Sequence, residues 1–390
     1  MARRPADLAD DAPHATVDLT ALAANVAALR ARTAPGTRLM AAVKADAYGH
    51  GVARTAPALV AAGVDAFGVA EAAEALDLRA LGVSADVLVF APVRAGIAEL
   101  AAADVALTVA DAASLAAIER AAPPRPARVH LKVDTGMGRL GASVVGADGR
   151  SDPAGVRAAL ALAAAVDRSR HAVLEGVWTH LACADDANAA EPGSVTGAQV
   201  TAFEVVVEAL ARAGLRPATV HAANSAATIA RPDAHFDLVR PGIAVYGQPP
   251  SAHVAALAPD LRPALTLDAP ITFVKRVAAG TPIGYGATWR APRATTVATV
   301  RLGYADGFPR ALSSRGRAVV GERSAVVAGR VCMDQVMLDL GPHGDARVGD
   351  RAVFVGGAGP TAVEVAEAAG SFVYELLTRL GPRIVRRYVG

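Results

Sequence analysis

The first two thirds of the chain alternate between two hydrophobic patterns. Short apolar runs rich in β-branched residues are each followed by an Ala-, Leu-, Glu- and Arg-rich stretch with the period of an amphipathic helix. A first helix is predicted from Asp18 to about Thr33. The strands predicted after it cover residues 38–43, 66–69, 86–91, 105–109, 127–133, 174–179, 218–222 and 236–240.

Eight alternations of strand and helix predict an α/β fold class, the (β/α)8 TIM barrel. The competing architecture is a doubly wound open sheet. That fold usually carries a glycine-rich phosphate loop after its first strand, and this chain has none there. We therefore predict an N-terminal barrel domain over residues 1–255.

Beyond about residue 260 the pattern changes to strands separated by turn residues, as in "ALTLDAPITFVKRV" and "TTVATVRLGYADG". Helical runs return only at residues 361–369 and 371–380. We predict a mostly-β C-terminal domain over residues 256–390, joined to the barrel by the segment 247–260.

Composition and charge narrow the functional classes. The 39 basic and 37 acidic residues leave a net charge of +2, and no basic block indicates nucleic-acid binding. No apolar run is long enough to span a bilayer, and the N-terminus lacks the apolar segment of a signal peptide, so we expect a cytoplasmic protein. The two cysteines have no partner at metal-ligand spacing, so we predict neither a metal site nor a disulfide framework.

Polar side chains follow several of the predicted barrel strands at their carboxyl ends, where the chemistry of such barrels takes place. Any one of them alone would be read as a solvated lysine or a helix cap. Because several strand ends agree, we predict a site on this rim. The residues are Lys44 after the first strand, Lys132 and Arg139 around the fifth, His180 after the sixth, Asn224 and Ser225 after the seventh, and Arg240 and Gly242 at the eighth.

The loops after the seventh and eighth strands suit an anion. They read "NSAA" and "RPGIA", small-residue turns that lead into helical stretches whose free N–H groups attract phosphate. Across the rim stands Lys44, at the end of an apolar strand. A phosphate site opposite such a lysine suggests pyridoxal phosphate bound as a Schiff base.

A set of motifs resembles the alanine racemase family, in the order in which that family carries them: "AVKADAYGHG", "KVDTGMGRLG", "THLACADD", "HAANSAA", "DLVRPGIAVYG", "GYGATW", "LGYADGFPR", "GRVCMDQ" and "YELLTRLGPRIVRRY". They extend from about residue 40 to the C-terminus. The resemblance implies a barrel that binds pyridoxal 5'-phosphate, a β-domain, and a homodimer with shared active sites. It implies interconversion of L-alanine and D-alanine, with D-alanine supplied for peptidoglycan synthesis.

The resemblance also implies residue roles. Lys44 and Tyr285 would be the two catalytic bases, Tyr285 taking the proton of L-alanine and Lys44 that of D-alanine. The implied supporting residues are His180, Arg240, Arg139 and Lys132. The implied cofactor-binding residues are Lys44, Tyr48, Asn224, Ser225, Arg240, Gly242, Ile243 and Tyr374. The implied substrate-binding residues are Arg139, Met333 and Asp334, and Tyr285 and Met333 would come from the second subunit.

Three of these roles have a chemical rationale. A guanidinium keeps its proton, so Arg240 facing the pyridine nitrogen would leave it unprotonated and disfavour transamination. His180, with Arg240 behind it, would favour the phenolate of Tyr285. Lys132 matches a lysine that is often carbamylated in the family; a carbamate there would be negatively charged and could orient Arg139.

Other functions stay open from sequence alone. A serine racemase or a racemase of broader spectrum would share most of these motifs. A pyridoxal-phosphate decarboxylase of the same two-domain plan would carry an acidic residue in place of Arg240. A non-catalytic cofactor carrier would lack the β-domain with Tyr285 and Met333.

Overall fold

The computed structural model describes residues 10–191 and 193–390. Their contacts divide the chain into two compact units. The barrel unit comprises Leu22–Ala47 and Val52–Arg262, and the β unit comprises residues 10–21, Tyr48–Gly51 and Pro263–Gly390. The predicted domain limits at 255 and 256 stay a prediction.

Strands make up the inner wall of the barrel unit and most of the β unit. In chain order they are β1 His14–Asp18, β2 Arg38–Ala42, β3 Ala66–Val69, β4 Asp86–Val89, β5 Val105–Val109, β6 Ala127–Asp134, β7 Ala142–Ser143, β8 Ala172–Trp178, β9 Thr219–His221, β10 Leu238–Val239, β11 Leu265–Val277, β12 Pro282–Ile283, β13 Trp289–Arg290, β14 Thr295–Val300, β15 Arg317–Val320, β16 Arg323–Val327, β17 Val336–Gly341, β18 Arg351–Val355 and β19 Val385–Val389.

Helices follow most barrel strands and return near the end of the chain. They are α1 Leu19–Arg30, α2 Val52–Ala61, α3 Ala72–Ala80, α4 Ile97–Ala102, α5 Ala112–Ala121, α6 Pro153–Asp167, α7 Val195–Arg212, α8 Ser225–Ala230, α9 Ala252–Leu257, α10 Ala362–Ala368 and α11 Val373–Thr378. Short 3₁₀ turns add to these, among them Ile243–Tyr246 and Tyr285–Ala287.

Parallel strands form the barrel in the order β10-β2-β3-β4-β5-β6-β8-β9. The ring closes between β9 and β10, where the backbone N–H groups of Asp237 and Arg240 donate to the carbonyl oxygens of Val220 and Ala223 at 3.0 and 2.9 Å. The strands are mostly apolar because both faces of the sheet are covered, and every residue of β5 is buried. The predicted (β/α)8 barrel is confirmed, with all eight predicted strands present.

The β unit is built on an eight-stranded sheet in the order β14-β17-β16-β15-β18-β11-β1-β19. An additional pairing of β11 with β14 joins its first strand to its sixth. The N-terminal strand β1 lies between β11, to which it is antiparallel, and the last strand β19, to which it is parallel. The mostly-β C-terminal domain is thus confirmed, and it takes one strand from the other end of the chain.

The segment that follows β2 adopts an uncommon backbone. Ala45, Asp46, Ala47 and Tyr48 all have φ between 52° and 55°, which makes a turn of left-handed helix. This conformation costs an L-residue about 1–2 kcal/mol, because Cβ crowds the next carbonyl oxygen. In the barrel unit the carboxylate of Glu74 accepts the Ala45 N–H at 2.6 Å, which stabilises the start of the turn.

Candidate active site

The carboxyl ends of the barrel strands, which we call the mouth, carry five of the predicted site residues. Lys44 follows β2, Lys132 lies in β6, Arg139 is in the loop after β6, His180 follows β8 and Arg240 follows β10. The charges of the other four all lower the pKa of His180, after burial as the largest cause. The structure therefore brings these five residues together at one mouth.

The amine of Lys44 is half-buried where β2 ends. Burial lowers its pKa below the ordinary lysine value, the charge of Arg139 lowers it further, and Glu74 partly opposes the shift. An amine in such surroundings is easier to deprotonate, which is the property that a lysine base or nucleophile needs.

Lys132 is the most deeply buried amine of the mouth, with 1 % of its surface exposed. Its Nζ donates to the carbonyl oxygen of Val133 at 2.5 Å and lies 5.1 Å from the centre of the Trp178 ring. Burial lowers its pKa to about 7, Asp134 opposes the shift, and Arg240 and Arg139 add to it. Lys132 is thus partly neutral near pH 7.

Arg240 is buried and held from several sides. Its Nη1 donates to Nδ1 of His221 at 3.0 Å, and its Nη2 donates to the carbonyl oxygens of Thr179 and Ala222 at 2.7 and 2.9 Å. Burial, and then the charge of Arg139, lower its pKa to about 9. These bonds leave the Nε–H and one Nη1–H of the guanidinium for a ligand, since a guanidinium has five N–H groups.

The loop that carries Arg139 is organised by a single carboxylate. Asp134 accepts the backbone N–H groups of Gly136, Met137 and Gly138 at 2.8 to 3.1 Å. Because the carboxylate is occupied by these amides, it fixes the loop. Arg139 itself is exposed, at the rim of the mouth.

The predicted anion site also forms in the barrel unit. Oγ of Ser225 accepts the backbone N–H groups of Gly242 and Ala244 at 2.8 and 3.3 Å. Asn224 caps α8 through its side-chain oxygen, and Ile243 begins the neighbouring 3₁₀ turn. Asn224, Ser225, Gly242 and Ile243 therefore lie together where two turns begin, with backbone amides converging on a hydroxyl.

Two further predicted cofactor residues meet in the β unit. The rings of Tyr48 and Tyr374 lie 6.1 Å apart between centroids, and Phe372 lies 5.6 Å from Tyr374 on the other side. Tyr48 is 7 % exposed, whereas Phe372 is 60 % exposed. The pair is thus one edge of an aromatic cluster in this unit.

The remaining predicted residues lie on the surface of the β unit. Tyr285 is 71 % exposed and Met333 is 52 % exposed. Asp334 accepts from Nη1 of Arg383 at 2.7 Å. Among the residues that the structure describes in this unit, no hydrogen bond or ring contact joins Tyr285 to Met333 or Asp334.

Several residues that support the mouth were not predicted from the sequence. The ring of Trp178 stacks on His221 with 5.9 Å between centroids, and Cζ of Arg240 lies 5.0 Å from the centre of the Trp178 ring. Nδ1 of His130 lies 2.8 Å from Nε2 of His221. One signal was available for His130: it precedes Lys132 by two positions in β6, so both side chains share one face of the strand.

Two kinds of feature are absent from the part of the chain that the structure describes. No helix in residues 10–191 or 193–390 combines the length and apolar character that a bilayer crossing requires. Within the same residues, no group of three or more His, Cys, Asp or Glu side chains is placed to hold a metal ion.

Two protein-family profiles cover nearly the whole chain. "Alanine racemase, N-terminal domain" matches residues 17–250, and "Alanine racemase, C-terminal domain" matches residues 264–388. A protein of Desulfosudis oleivorans named alanine racemase is 44 % identical over 382 residues, covering 96 % of each chain. Another of that name, from Beutenbergia cavernae, is 45 % identical, covering 96 % of this chain and 97 % of its own.

Solved structures agree with these matches. The crystal structure of alanine racemase from D-cycloserine-producing Streptomyces lavendulae has a TM-score of 0.88 at 39 % identity, covering 100 % of this chain and 98 % of that chain. The alanine racemase of Streptomyces coelicolor A3(2) has a TM-score of 0.87 at 41 % identity, with 99 % and 100 % covered. The similarity extends over both units.

Proposed function

Because this chain belongs to the alanine racemase family, we propose that it interconverts L-alanine and D-alanine with two bases and pyridoxal 5'-phosphate. The observation that carries the proposal is the amine of Lys44, which lies at the barrel mouth with a lowered pKa, beside the charges of Arg139 and Glu74. Supply of D-alanine for peptidoglycan is consistent with the family. A cytoplasmic location stays a prediction from sequence.

The residues of the mouth fit pyridoxal phosphate. Arg240 keeps two N–H groups for a ring nitrogen, and the first amides of the two turns that begin at Ser225 and Ile243 suit a phosphate. Lys44 offers an amine that can condense with an aldehyde. When bound, the cofactor supplies that aldehyde and a conjugated ring that delocalises the charge left after an α-proton is removed.

Lys44 would exchange a proton on one face of the substrate, and Tyr285 on the other. Lys44 suits the task because its lowered pKa gives a larger fraction of neutral amine near pH 7. For Tyr285 a neutral imidazole is a suitable neighbour, since it can accept the phenol proton in a hydrogen bond. Burial and the surrounding cations hold the pKa of His180 well below its ordinary value, so His180 is neutral.

Arg240 would control the outcome of the reaction. Even with its pKa lowered to about 9, its guanidinium is charged at pH 7 and can only donate hydrogen bonds. It would therefore not protonate a cofactor ring nitrogen held against it, and charge delocalisation into such a ring would be weaker. We propose that this favours return of the proton to the α-carbon over transamination.

Lys132 would be carbamylated. With a pKa of about 7 its amine is neutral often enough to attack CO₂. The nitrogen lone pair forms the N–C bond, a C=O π-pair moves to oxygen, and one proton is released to solvent. The product replaces a cation by an anion among Arg139 and Arg240, where a negative charge is favourable.

A homodimer would complete the site. Tyr285 and Met333 are exposed on the β unit, although their proposed roles require contact with a substrate. We propose that each barrel mouth receives these two residues from a second copy of the chain. The phenol of Tyr285 would then serve as the second base, and the Met333 amide would bind the substrate carboxylate.

Mixing two inactive variants tests the cofactor lysine and the shared site together. Lys44→Ala and Tyr285→Phe are purified separately, then unfolded and refolded as a mixture. A mixed dimer has one mouth with both changes and one with neither, so about a quarter of wild-type racemisation is expected to return. The readout is circular dichroism of L-alanine over time.

The controls separate the parts of the proposal. Each variant refolded alone is expected to stay inactive, and wild-type chain treated in the same way is expected to recover. Mixing without recovery would place Tyr285 in the same chain as Lys44 and refute the shared site. Wild-type protein that racemises L-serine as fast as L-alanine would refute the proposed substrate preference.

A further inference from the structure

Three side chains form a line inside the barrel, from the mouth towards the amino ends of the strands. Nη1 of Arg240 lies 3.0 Å from Nδ1 of His221, and Nε2 of His221 lies 2.8 Å from Nδ1 of His130. All three are buried, with at most 4 % of their surface exposed. The proposed reaction assigns a role to Arg240 and none to the two histidines.

The chemistry of arginine sets the direction of this line. A guanidinium only donates, so Nδ1 of His221 has to accept the bond from Arg240. A neutral imidazole carries one proton, which then sits on Nε2 of His221 and is donated to Nδ1 of His130. The tautomers of both histidines are thus determined by the charged end group.

Packing holds the two rings in place. Trp178 is nearly parallel to His221, with an angle of 11° between the rings. His130 meets His221 edge to face at 79°. Gly176 makes room for it, since a Cβ there would lie 2.2 Å from Nδ1 of His130. An imidazole at position 130 therefore depends on a glycine in the neighbouring strand.

The surroundings keep both histidines neutral. Burial lowers the pKa of His130 to about 4, with Glu175 opposing and Arg128 adding to the shift. Burial and the charge of Arg240 hold the pKa of His221 well below its usual value. Below His130, Arg128 is paired with Glu175 and Asp86, so no unpaired charge of these three faces the ring.

We propose that His130 is a positioning residue for Arg240 and acts through His221. By accepting the Nε2–H of His221 it holds the ring orientation of that histidine, and so the direction in which Nη1 of the guanidinium points. The inference rests on the proposed function, in which Arg240 meets the ring nitrogen of the cofactor. Without His130, the buried Nε2–H of His221 loses its acceptor, and the hydrogen bond from Nη1 of Arg240 to His221 is no longer held in one direction.

Two substitutions at one position test this. His130→Phe keeps a ring but removes the acceptor, and His130→Asn keeps an oxygen near the place of Nδ1. Transamination of alanine forms pyruvate, so the ratio of pyruvate to racemised alanine reports the side reaction that Arg240 disfavours. With His130→Phe we expect kcat to fall and this ratio to rise, each on the order of tenfold, as for the loss of one buried acceptor. With His130→Asn we expect both values to return to within about threefold of wild type.

Val129→Ala is the matched control for damage to the strand. It shortens a buried side chain on the opposite face of β6 and leaves the line of hydrogen bonds intact. We expect it to lower stability without changing the ratio of pyruvate to racemised alanine. A ratio that is the same in wild type and His130→Phe would overturn the proposal, as would an equal rise in Val129→Ala.

A second readout needs neither cofactor nor variant. In ¹⁵N-labelled wild-type protein, the imidazole nitrogen shifts of His221 should show a proton on Nε2 and none on Nδ1. A proton on Nδ1 would refute the proposed line of hydrogen bonds from Arg240 through His221 to His130, even if alanine is racemised. Conversely, wild-type protein that forms no D-alanine but shows the expected His221 tautomer would refute the proposed function and support the line of hydrogen bonds.

Discussion

The two ends of the barrel carry charged side chains in opposite arrangements. At the amino ends of the strands, which we call the floor, Arg128 donates to the carboxylates of Asp86 and Glu175 at 2.7 Å each. Arg38 pairs with the same Asp86. The floor thus combines cations with anions in a single network, which extends from Arg128 to Asp104 as well.

The mouth has a different balance. Four basic side chains lie there, and the carboxylate of Asp134 is occupied by backbone amides. The basic residues are Lys44, Lys132, Arg139 and Arg240. The pKa values of Lys44, Lys132 and Arg240 are lowered, whereas the network of the floor raises the pKa of Arg128 and lowers that of Asp86.

The difference separates stability from chemistry within one barrel. Charged groups at the floor are each stabilised by a partner, which is what a structural network requires. Basic side chains at the mouth lie close together and are partly buried, which lowers the stability of the fold. The same surroundings lower the pKa of the amines, so that they can exchange protons near neutral pH. Substitutions at the two ends should therefore have opposite effects on stability and on activity.

The largest effect is expected for Lys44→Ala. Removing the amine should lower racemisation on the order of 10⁴-fold or more, because the proposed nucleophile and one base are lost together. Stability should hold or rise, since a desolvated cation is removed from a positive region. Turnover is measured by circular dichroism of alanine, and stability by urea unfolding. Near wild-type turnover in both directions would remove Lys44 from the mechanism.

Wild type and Lys132→Met should differ in how their free energy of unfolding depends on pH. The pKa of Lys132 in the folded protein, about 7, lies below the ordinary lysine value of 10.5, so between these pH values the unfolded chain binds more protons. Wild-type stability should therefore rise with pH across that window, by at most about 1.4 kcal/mol per unit from this group. The variant should lack this rise and be the more stable protein at pH 7 in CO₂-free buffer. If the free energies of unfolding of wild type and Lys132→Met changed in parallel from pH 7 to 10.5, the lowered pKa of Lys132 would be contradicted.

The smallest effect is expected at the floor. Arg128→Met leaves the carboxylates of Asp86 and Glu175 without their shared partner, which should lower the free energy of unfolding by about 2 kcal/mol. Turnover should stay within about twofold of wild type, because Arg128 is not part of the mouth. Urea unfolding and alanine turnover measure the two values. A tenfold loss of turnover with unchanged stability would reverse the contrast between the two ends.

Much of the barrel could be predicted because its signals are local. Each strand is a short apolar run, and the rule that chemistry lies at the carboxyl ends placed Lys44, Lys132, His180 and Arg240 at one mouth before any coordinates. The first helix begins at Leu19, one residue after the predicted start. The roles of these residues stay predictions that the experiments above address.

What could not be predicted depends on contacts between distant segments. β1 is five residues long and mixes polar with apolar side chains, and its partners β11 and β19 lie far from it in the sequence. The pairing of Arg128 with Asp86, and the contact of His130 with His221, join strands that sequence spacing does not relate. Exposure of Tyr285 likewise follows from packing in the β unit and not from its motif.

The left-handed turn after Lys44 limits how this protein can change its sequence. Four successive residues there are selected by backbone shape, and a β-branched side chain at any of them would add to the crowding that alanine and aspartate already bear. Glycine is the one replacement that relieves it. The backbone conformation therefore restricts which residues can replace Ala45 and Ala47. Conservation of these two positions among related sequences would follow from the shape of the turn and would carry no information about the reaction.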